Sequence, residues 1–246
     1  MISDVPIFRF KRGGHICVFY QDESTLLDFL VPYICDGLRA GEKCFLVQEK
    51  SLVRRLPSAL EFAGVSYKAE VERNAIELYC TEDVYLKSGR FDVQAMINRL
   101  ELTIQNAVSE GFNGLRTAGD LGWASASNLS HDTLLLYEKM VQESFPHRPA
   151  VGVCQYPIAS FPEKLLDQVL ELHQMSLQEP QAHSSHSSLS IRKDDFTLDV
   201  VADRLQPHST VYYVVQKLGS KNIIGFGSEA TVENAIRMGQ QLIQAI

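Results

Sequence analysis

Short apolar runs alternate with longer stretches in which apolar residues recur every three or four positions, from His15 to about Met175. The runs Ile16 to Tyr20, Lys43 to Val47, Ile76 to Cys80, Leu115 to Ala118 and Val151 to Tyr156 read as buried strands, with Val65 to Tyr67 as a further short one. The periodic stretches between them read as helices over Glu23 to about Gly41, Leu52 to Ala63, Phe91 to Glu110, Ser130 to Phe145 and Pro162 to Met175. Pro32 and Pro57 bend two of these helices, and Gly41, Gly64 and Gly111 stop three. Strand and helix alternating in this way predict an α/β fold, a three-layer parallel sheet covered by helices on both faces.

The unit from His15 to Glu49 sets the frame, because strand, helix and second strand in succession seed a parallel sheet. Ligands of such sheets sit beyond the carboxyl ends of the strands, which here means the turn from Tyr20 to Ser24. Phosphate binding at that place needs glycines that expose backbone N–H groups and a lysine that neutralises charge. The turn instead reads Tyr20, Gln21, Asp22, Glu23, Ser24. Two carboxylates compete with a phosphate for the positive helix end, so triphosphate hydrolysis is not expected, whereas a neutral or cationic ligand is compatible.

Beyond Gln178 the pattern changes. Residues 178–190 are polar, serine-rich and without helical period, and are expected to form a flexible linker carrying His183 and His186. Val211 to Gln216 and Ile223 to Phe226 flank Gly219-Ser220 as a hairpin, Phe196 to Val201 adds a strand, and Thr231 caps a last helix. The expected division is therefore a sensory-type α/β domain over 1–177, a linker over 178–190 and a small α+β (ββα) module over 191–246. So small a module buries little surface alone and is expected to dock on the first domain or across a homodimer.

Composition narrows the partners. The 246 residues carry a net charge of −7, which speaks against nucleic acid or an anionic membrane as the main partner. No apolar run is long enough to span a bilayer and the first fourteen residues lack the core of a secretory signal, so a cytoplasmic location is expected. Cys17, Cys35, Cys44, Cys80 and Cys154 occur singly and mostly within apolar runs, the pattern of reduced core thiols. His15 and Cys17 share one strand face, and with Cys154 they form a possible soft metal or redox site; packing of the thiols in the core is the favoured reading.

Arg116, Asp120 and Trp123 lie along one strand end, Gln155 and Tyr156 along another, on the edge expected to hold Tyr20, Gln21, Asp22 and Glu49. Together they are the candidate small-molecule site. The alternative is that Trp123 plugs the rim and Arg116 pairs with Asp120. No Ser-His-Asp order, HExxH or dinucleotide fingerprint is present, and no catalytic residue is assigned.

The strings HICVFYQDESTLLDFLVPYICDGLRAGEKCFLV, LRTAGDLGW, LLLYEKM and VCQYPIASFPEKLLDQVLELH, in order over about residues 13 to 176, resemble the MEDS family of sensory domains. The resemblance implies a degenerate relative of RecA-type and KaiC-type ATPases without a Walker A loop, acting as a non-catalytic sensor of small molecules in bacterial and archaeal signalling. Such domains are joined to DNA-binding or kinase-like output modules. No helix-turn-helix precedes Gly14 here, so a signalling protein partner is expected in place of direct DNA contact. The competing functions are a nucleotide-binding protein with an altered loop, and a thiol or metal redox sensor using His15, Cys17 and Cys154.

Overall fold

In the computed structural model, residues 9–10, 12–20, 22–87, 89–173, 177–178, 186–193, 196–203, 211–217 and 222–229 are described. After a two-residue strand β1 (Arg9–Phe10) come β2 (Gly14–Tyr20), α1 (Glu23–Arg39), β3 (Lys43–Gln48), α2 (Lys50–Phe62), α3 (Tyr67–Glu72) and β4 (Ile76–Cys80). Next are α4 (Thr81–Tyr85), α5 (Val93–Ser109), β5 (Leu115–Asp120), α6 (Gly122–Ala126), α7 (His131–Ser144), β6 (Ala150–Pro157) and α8 (Glu163–Leu172). The chain continues through β7 (Leu177–Gln178), β8 (His186–Lys193), β9 (Phe196–Asp203), β10 (Val211–Lys217) and β11 (Asn222–Glu229).

The main sheet runs β4-β3-β5-β6-β2-β11-β10-β9-β8. Its first five strands are mutually parallel and flanked by helices, as the alternating pattern predicts. β11 continues the parallel sense beside β2, and β10, β9 and β8 follow antiparallel. Every residue of β2 and β3 is buried, which accounts for the apolar runs Ile16 to Phe19 and Cys44 to Val47 at their centres.

Alternation along each strand divides the core in two. Ile16, Val18, Leu46, Ala118, Val151 and Val153 point to one face and pack under Leu26, Leu30 and Ile34 of α1 and Leu52, Leu56 and Leu60 of α2. Cys17, Phe19, Phe45, Val47, Cys154 and Tyr156 point to the other, against α5, α7 and α8 through Ile97, Ile104, Leu134, Val141, Leu165 and Val169. Gly152 is required on that second face, because a Cβ there would stand 2.5 Å from the Phe145 ring.

Three local expectations change. Val65 to Tyr67 is no strand: the helix formers Lys68, Ala69 and Glu70 carry the chain into α3 instead. The turn after Ala118 begins later, since β5 extends to Asp120 and the chain then enters the short helix α6. At the start of the stretch read as a linker, over 178–190, Leu177–Gln178 pairs with β1, and β8 starts within it at His186. Leu189 and Ile191 alternate with Ser188, Ser190 and Arg192, a period-two signal hidden by the serine-rich composition. As the outermost strand, β8 suits such polar residues. Gly219-Ser220 and the helix expected after Thr231 lie outside the described residues.

Arg116, near the start of β5, is buried under α1 and far from the carboxyl edge. Its guanidinium pairs with Glu42 Oε2 and Asp36 Oδ2, both at 2.7 Å, donates to the Tyr33 carbonyl at 3.1 Å, and lies over the Tyr33 ring. Gly37 makes room for it, since a Cβ there would meet Arg116 Cδ at 2.6 Å. Glu42 is itself buried. Arg116→Met should therefore destabilise the protein by about 3–5 kcal/mol, because a buried carboxylate loses its partner. Adding Glu42→Gln should recover much of that loss in urea unfolding; a double variant no more stable than the single one would show that the arginine acts through packing alone.

Candidate functional site

At the carboxyl edge, the parity that sends Val18, Leu46, Ala118 and Val153 to the α1 and α2 face carries Tyr20, Gln48, Asp120 and Gln155 to the same face. Asp120 and Gln155 are directly paired in register, and Gln155 in turn faces Val18 of β2. Four strands thus end in one buried polar cluster. Asp120 accepts the Tyr20 hydroxyl at 2.8 Å through Oδ2 and the Gly122 N–H at 2.8 Å through Oδ1. Gln48 donates through Nε2 to the Ala118 carbonyl at 3.1 Å.

Part of the cluster is unsatisfied. Both side-chain polar atoms of Gln155, and Oε1 of Gln48, are buried without a hydrogen-bond partner among the described residues. Leaving such groups unpaired costs about 1–3 kcal/mol each.

The surroundings are acidic. Glu49 follows β3 and accepts from Thr81 Oγ1 at 3.0 Å; Glu23 opens α1, pairs with Arg55 at 2.9 Å and accepts from Ser51. Asp22 lies one residue earlier, exposed, and Gln21 falls outside the described residues. Burial, with Glu49 and Glu23 adding to it, pushes the Asp120 carboxyl up to about 6 despite the two hydrogen bonds it accepts.

Of the other candidates, Trp123 is buried on the opposite face, stacked on Tyr85 at 4.9 Å and beside Phe91. Its ring packs in the second core, and Arg116 pairs with Glu42 and Asp36 and not with Asp120. Tyr156 likewise points to the second face and donates to Glu138 Oε1. Gln48 is not among the residues expected at this edge, beside the more polar Glu49, yet strand parity from Leu46 singles it out. A cleft of about 540 Å³ at the end of β4, lined by Tyr79, Glu82, Asp83, Leu86, Lys87 and Arg99, is separate from the polar cluster.

His15 and Cys154 do meet, on the second face, 3.2 Å apart between Nε2 and Sγ. Cys17 is the register partner of Cys154, and none of the five cysteines is in a disulfide. Glu138 of α7 and His173 just after α8 complete this cluster. The signal for both was helical spacing: Glu138 falls on the stripe of Leu134 and Val141, and His173 on that of Leu166 and Val169. An acid and an imidazole on those apolar faces must be buried.

The chain belongs to the MEDS family, the methanogen/methylotroph, DcmR sensory domain, whose model matches residues 14–174. It is 27% identical over 174 residues to the transcriptional repressor DcmR of Methylorubrum extorquens, an alignment covering 68% of this chain and 60% of that protein. The chain thus spans about 60% of the length of this curated relative. A KaiC-like protein from the hyperthermophilic archaeon Pyrococcus horikoshii OT3 aligns over 91% of this chain and 95% of its own, with a TM-score of 0.45 and 12% identity. Membership of a sensory-domain family, with a repressor as relative, supports a regulatory sensory role. Among the described residues no helix is long and apolar enough to cross a membrane.

The raised Asp120 has a pH signature. Between about pH 4 and pH 6 the folded chain holds a proton that the unfolded chain releases, so stability falls as pH rises through that window and the loss persists above it. Asp120→Asn removes this titration. In urea unfolding, the variant should match the parent near pH 4 and exceed it by roughly 2–3 kcal/mol at pH 7, the worth of a shift of about two pKa units. A difference independent of pH would show that Asp120 does not titrate abnormally.

Proposed function

We propose that the chain is a non-catalytic sensory domain that binds a small neutral or cationic organic ligand at the carboxyl edge, with Tyr20, Gln48, Asp120 and Gln155 as its polar floor and Asp22, Glu23 and Glu49 around it. Gln21 belongs to the same turn by sequence. The observation that carries the reading is the set of unsatisfied amide atoms, Oε1 of Gln48 and both polar atoms of Gln155, buried beside Asp120. A sheet interior tolerates unpaired amides poorly, and a bound molecule offering a donor and an acceptor satisfies them. The carboxylates at the mouth repel phosphate, which disfavours the nucleotide-binding alternative.

Transmission in this reading runs through β2. Tyr20 ends that strand, and β11 hydrogen-bonds to its free edge, so a ligand that shifts Tyr20 acts on the strand that holds the C-terminal part of the sheet. A signalling partner or a second copy of the chain would read that change. The DcmR relative suggests gene regulation as the setting, with the output module supplied outside the matched region.

Gln155→Leu tests the site without knowledge of the ligand. Replacing an unpaired buried amide by an apolar group of similar size should raise the stability of the ligand-free protein by on the order of 1–2 kcal/mol. Native mass spectrometry should show a small molecule retained by the parent and absent from the variant. If Gln155→Leu is destabilising, the amide serves the fold itself and the reading fails.

A thermal-shift series with ATP and magnesium should leave the melting temperature unchanged to millimolar concentrations. A saturable rise of several degrees would restore the nucleotide-binding alternative.

A further inference from the structure

On the face of the sheet opposite the proposed ligand site, four side chains from four elements converge. His15 comes from β2, Cys154 from β6, Glu138 from α7, and His173 lies at the end of α8. One potential ligand atom from each lies within 4.8 Å of all the others, and all four residues are buried. Neighbouring pairs are closer: His15 Nε2 is 3.2 Å from Cys154 Sγ and 3.3 Å from Glu138 Oε2, and His173 Nε2 is 3.1 Å from the same oxygen. The edges of a tetrahedron of nitrogen, oxygen and sulfur around a zinc-sized ion are about 3.3–3.8 Å, given bond lengths of about 2.0–2.3 Å.

The outward-facing atoms of the same residues are already engaged. His15 Nδ1 meets Gln142 Oε1 at 3.2 Å, and His173 Nδ1 meets the Val169 carbonyl at 2.7 Å. Because each of these partners accepts, each Nδ1 carries the proton and each Nε2 turns a lone pair inward. Tyr156 donates to Glu138 Oε1, leaving Oε2 aimed at the two imidazoles. Glu138 Oε2 and His173 Nε2 approach within 3.1 Å and yet make no hydrogen bond. Two inward lone pairs and a carboxylate oxygen at that distance repel one another unless a proton or a metal ion lies between them, and at neutral pH, with His15 lowered to about 4, a metal ion answers all of them at once. Metal-binding histidines are oriented in this manner, by a carbonyl or side-chain oxygen on the far nitrogen.

We infer that His15 Nε2, His173 Nε2, Glu138 Oε2 and Cys154 Sγ form a closed, four-coordinate site for a divalent transition-metal ion, zinc foremost. Imidazole and thiolate together favour zinc over magnesium or calcium. The charges also balance: a dication, one carboxylate, one thiolate and two neutral imidazoles sum to zero in an apolar interior. Binding converts the Cys154 thiol to a thiolate and releases that single proton to solvent, so occupancy rises with pH. With no open position, the ion's role is to tie β2, β6, α7 and α8 together.

Cobalt(II) tests the site in the whole chain. Protein produced in cobalt-supplemented minimal medium, which loads the site during folding, should contain about one metal equivalent per chain by elemental analysis. Its spectrum should show intense tetrahedral d–d bands and a near-ultraviolet thiolate-to-cobalt band. Cys154→Ser should lose the thiolate band, and His173→Gln should lower the metal content several-fold, with circular dichroism confirming that both variants fold. Should either variant fail to fold, Gln142→Leu, which removes the acceptor at the far nitrogen of His15, should still weaken metal retention against a competing chelator. A folded parent without stoichiometric cobalt or zinc, or variants that keep both metal and thiolate band, would overturn the inference. None of these outcomes bears on the ligand site at the opposite face.

Discussion

Everything in the sheet depends on β2. It lies between β6 and β11, with helices over both of its faces, so each of its seven residues is buried and each backbone group must find its partner in a neighbouring strand. A strand so placed has no solvent face, and its alternation delivers side chains into two separate interiors. Ile16, Val18 and Tyr20 enter the interior under α1 and α2, while His15, Cys17 and Phe19 enter the one under α7 and α8. The two polar residues at its extremes, His15 and Tyr20, therefore start two polar clusters on opposite faces and at opposite ends. A one-residue slip of β2 would exchange those faces and dismantle both clusters at once.

The clusters obey different electrostatics. At the edge, Asp120 is pushed toward its neutral form by burial and by the acids around it, and the hydrogen bonds from Tyr20 and Gly122 only partly offset that. Inside, burial would raise Glu138 too, but at the acid pH where it titrates the charged imidazoles of His173 and His15 outweigh burial and hold the carboxyl below its ordinary range. His15 responds in the opposite sense: burial, then His173, lower it to about 4. The edge cluster is rich in unpaired hydrogen-bonding capacity, which suits an uncharged or cationic molecule. The interior cluster is rich in lone pairs, which suits a metal ion.

The core of this architecture was legible in the sequence because strands buried on both faces and amphipathic helices carry strong periodic signals. All five strands of the parallel unit fall where the apolar runs place them. What escaped were features decided by tertiary context. Arg116 looks like a strand-end residue in the string LRTAGDLGW, yet β5 begins only one residue before it, so it lies at the amino end among Glu42, Asp36 and Tyr33. Trp123 is near the edge in sequence, but α6 turns its ring back toward Tyr85 and Phe91. Gln48, Glu138 and His173 were open to parity and helical spacing, but each is a single polar residue on an apolar stripe, and only contact across the fold gives it a partner.

β11 adds a consequence that no pattern within residues 1–177 could reveal. A five-strand parallel sheet ending at β2 would leave that strand's second edge open, and an open edge on a largely apolar strand pairs with whatever strand it meets. The C-terminal strands close it, and they do so in cis: β11 lies parallel to β2, and β10, β9 and β8 extend the sheet to a polar outer strand. The C-terminal part is thus bound to the same strand that ends in Tyr20. Moving Tyr20 requires either a shift of β2 within its ladder or a rotation of the last residues out of it, and the first of these disturbs β11 directly. A rigid, fully paired central strand makes small displacements at its end costly to absorb locally, which is the physical condition for passing them to its neighbour.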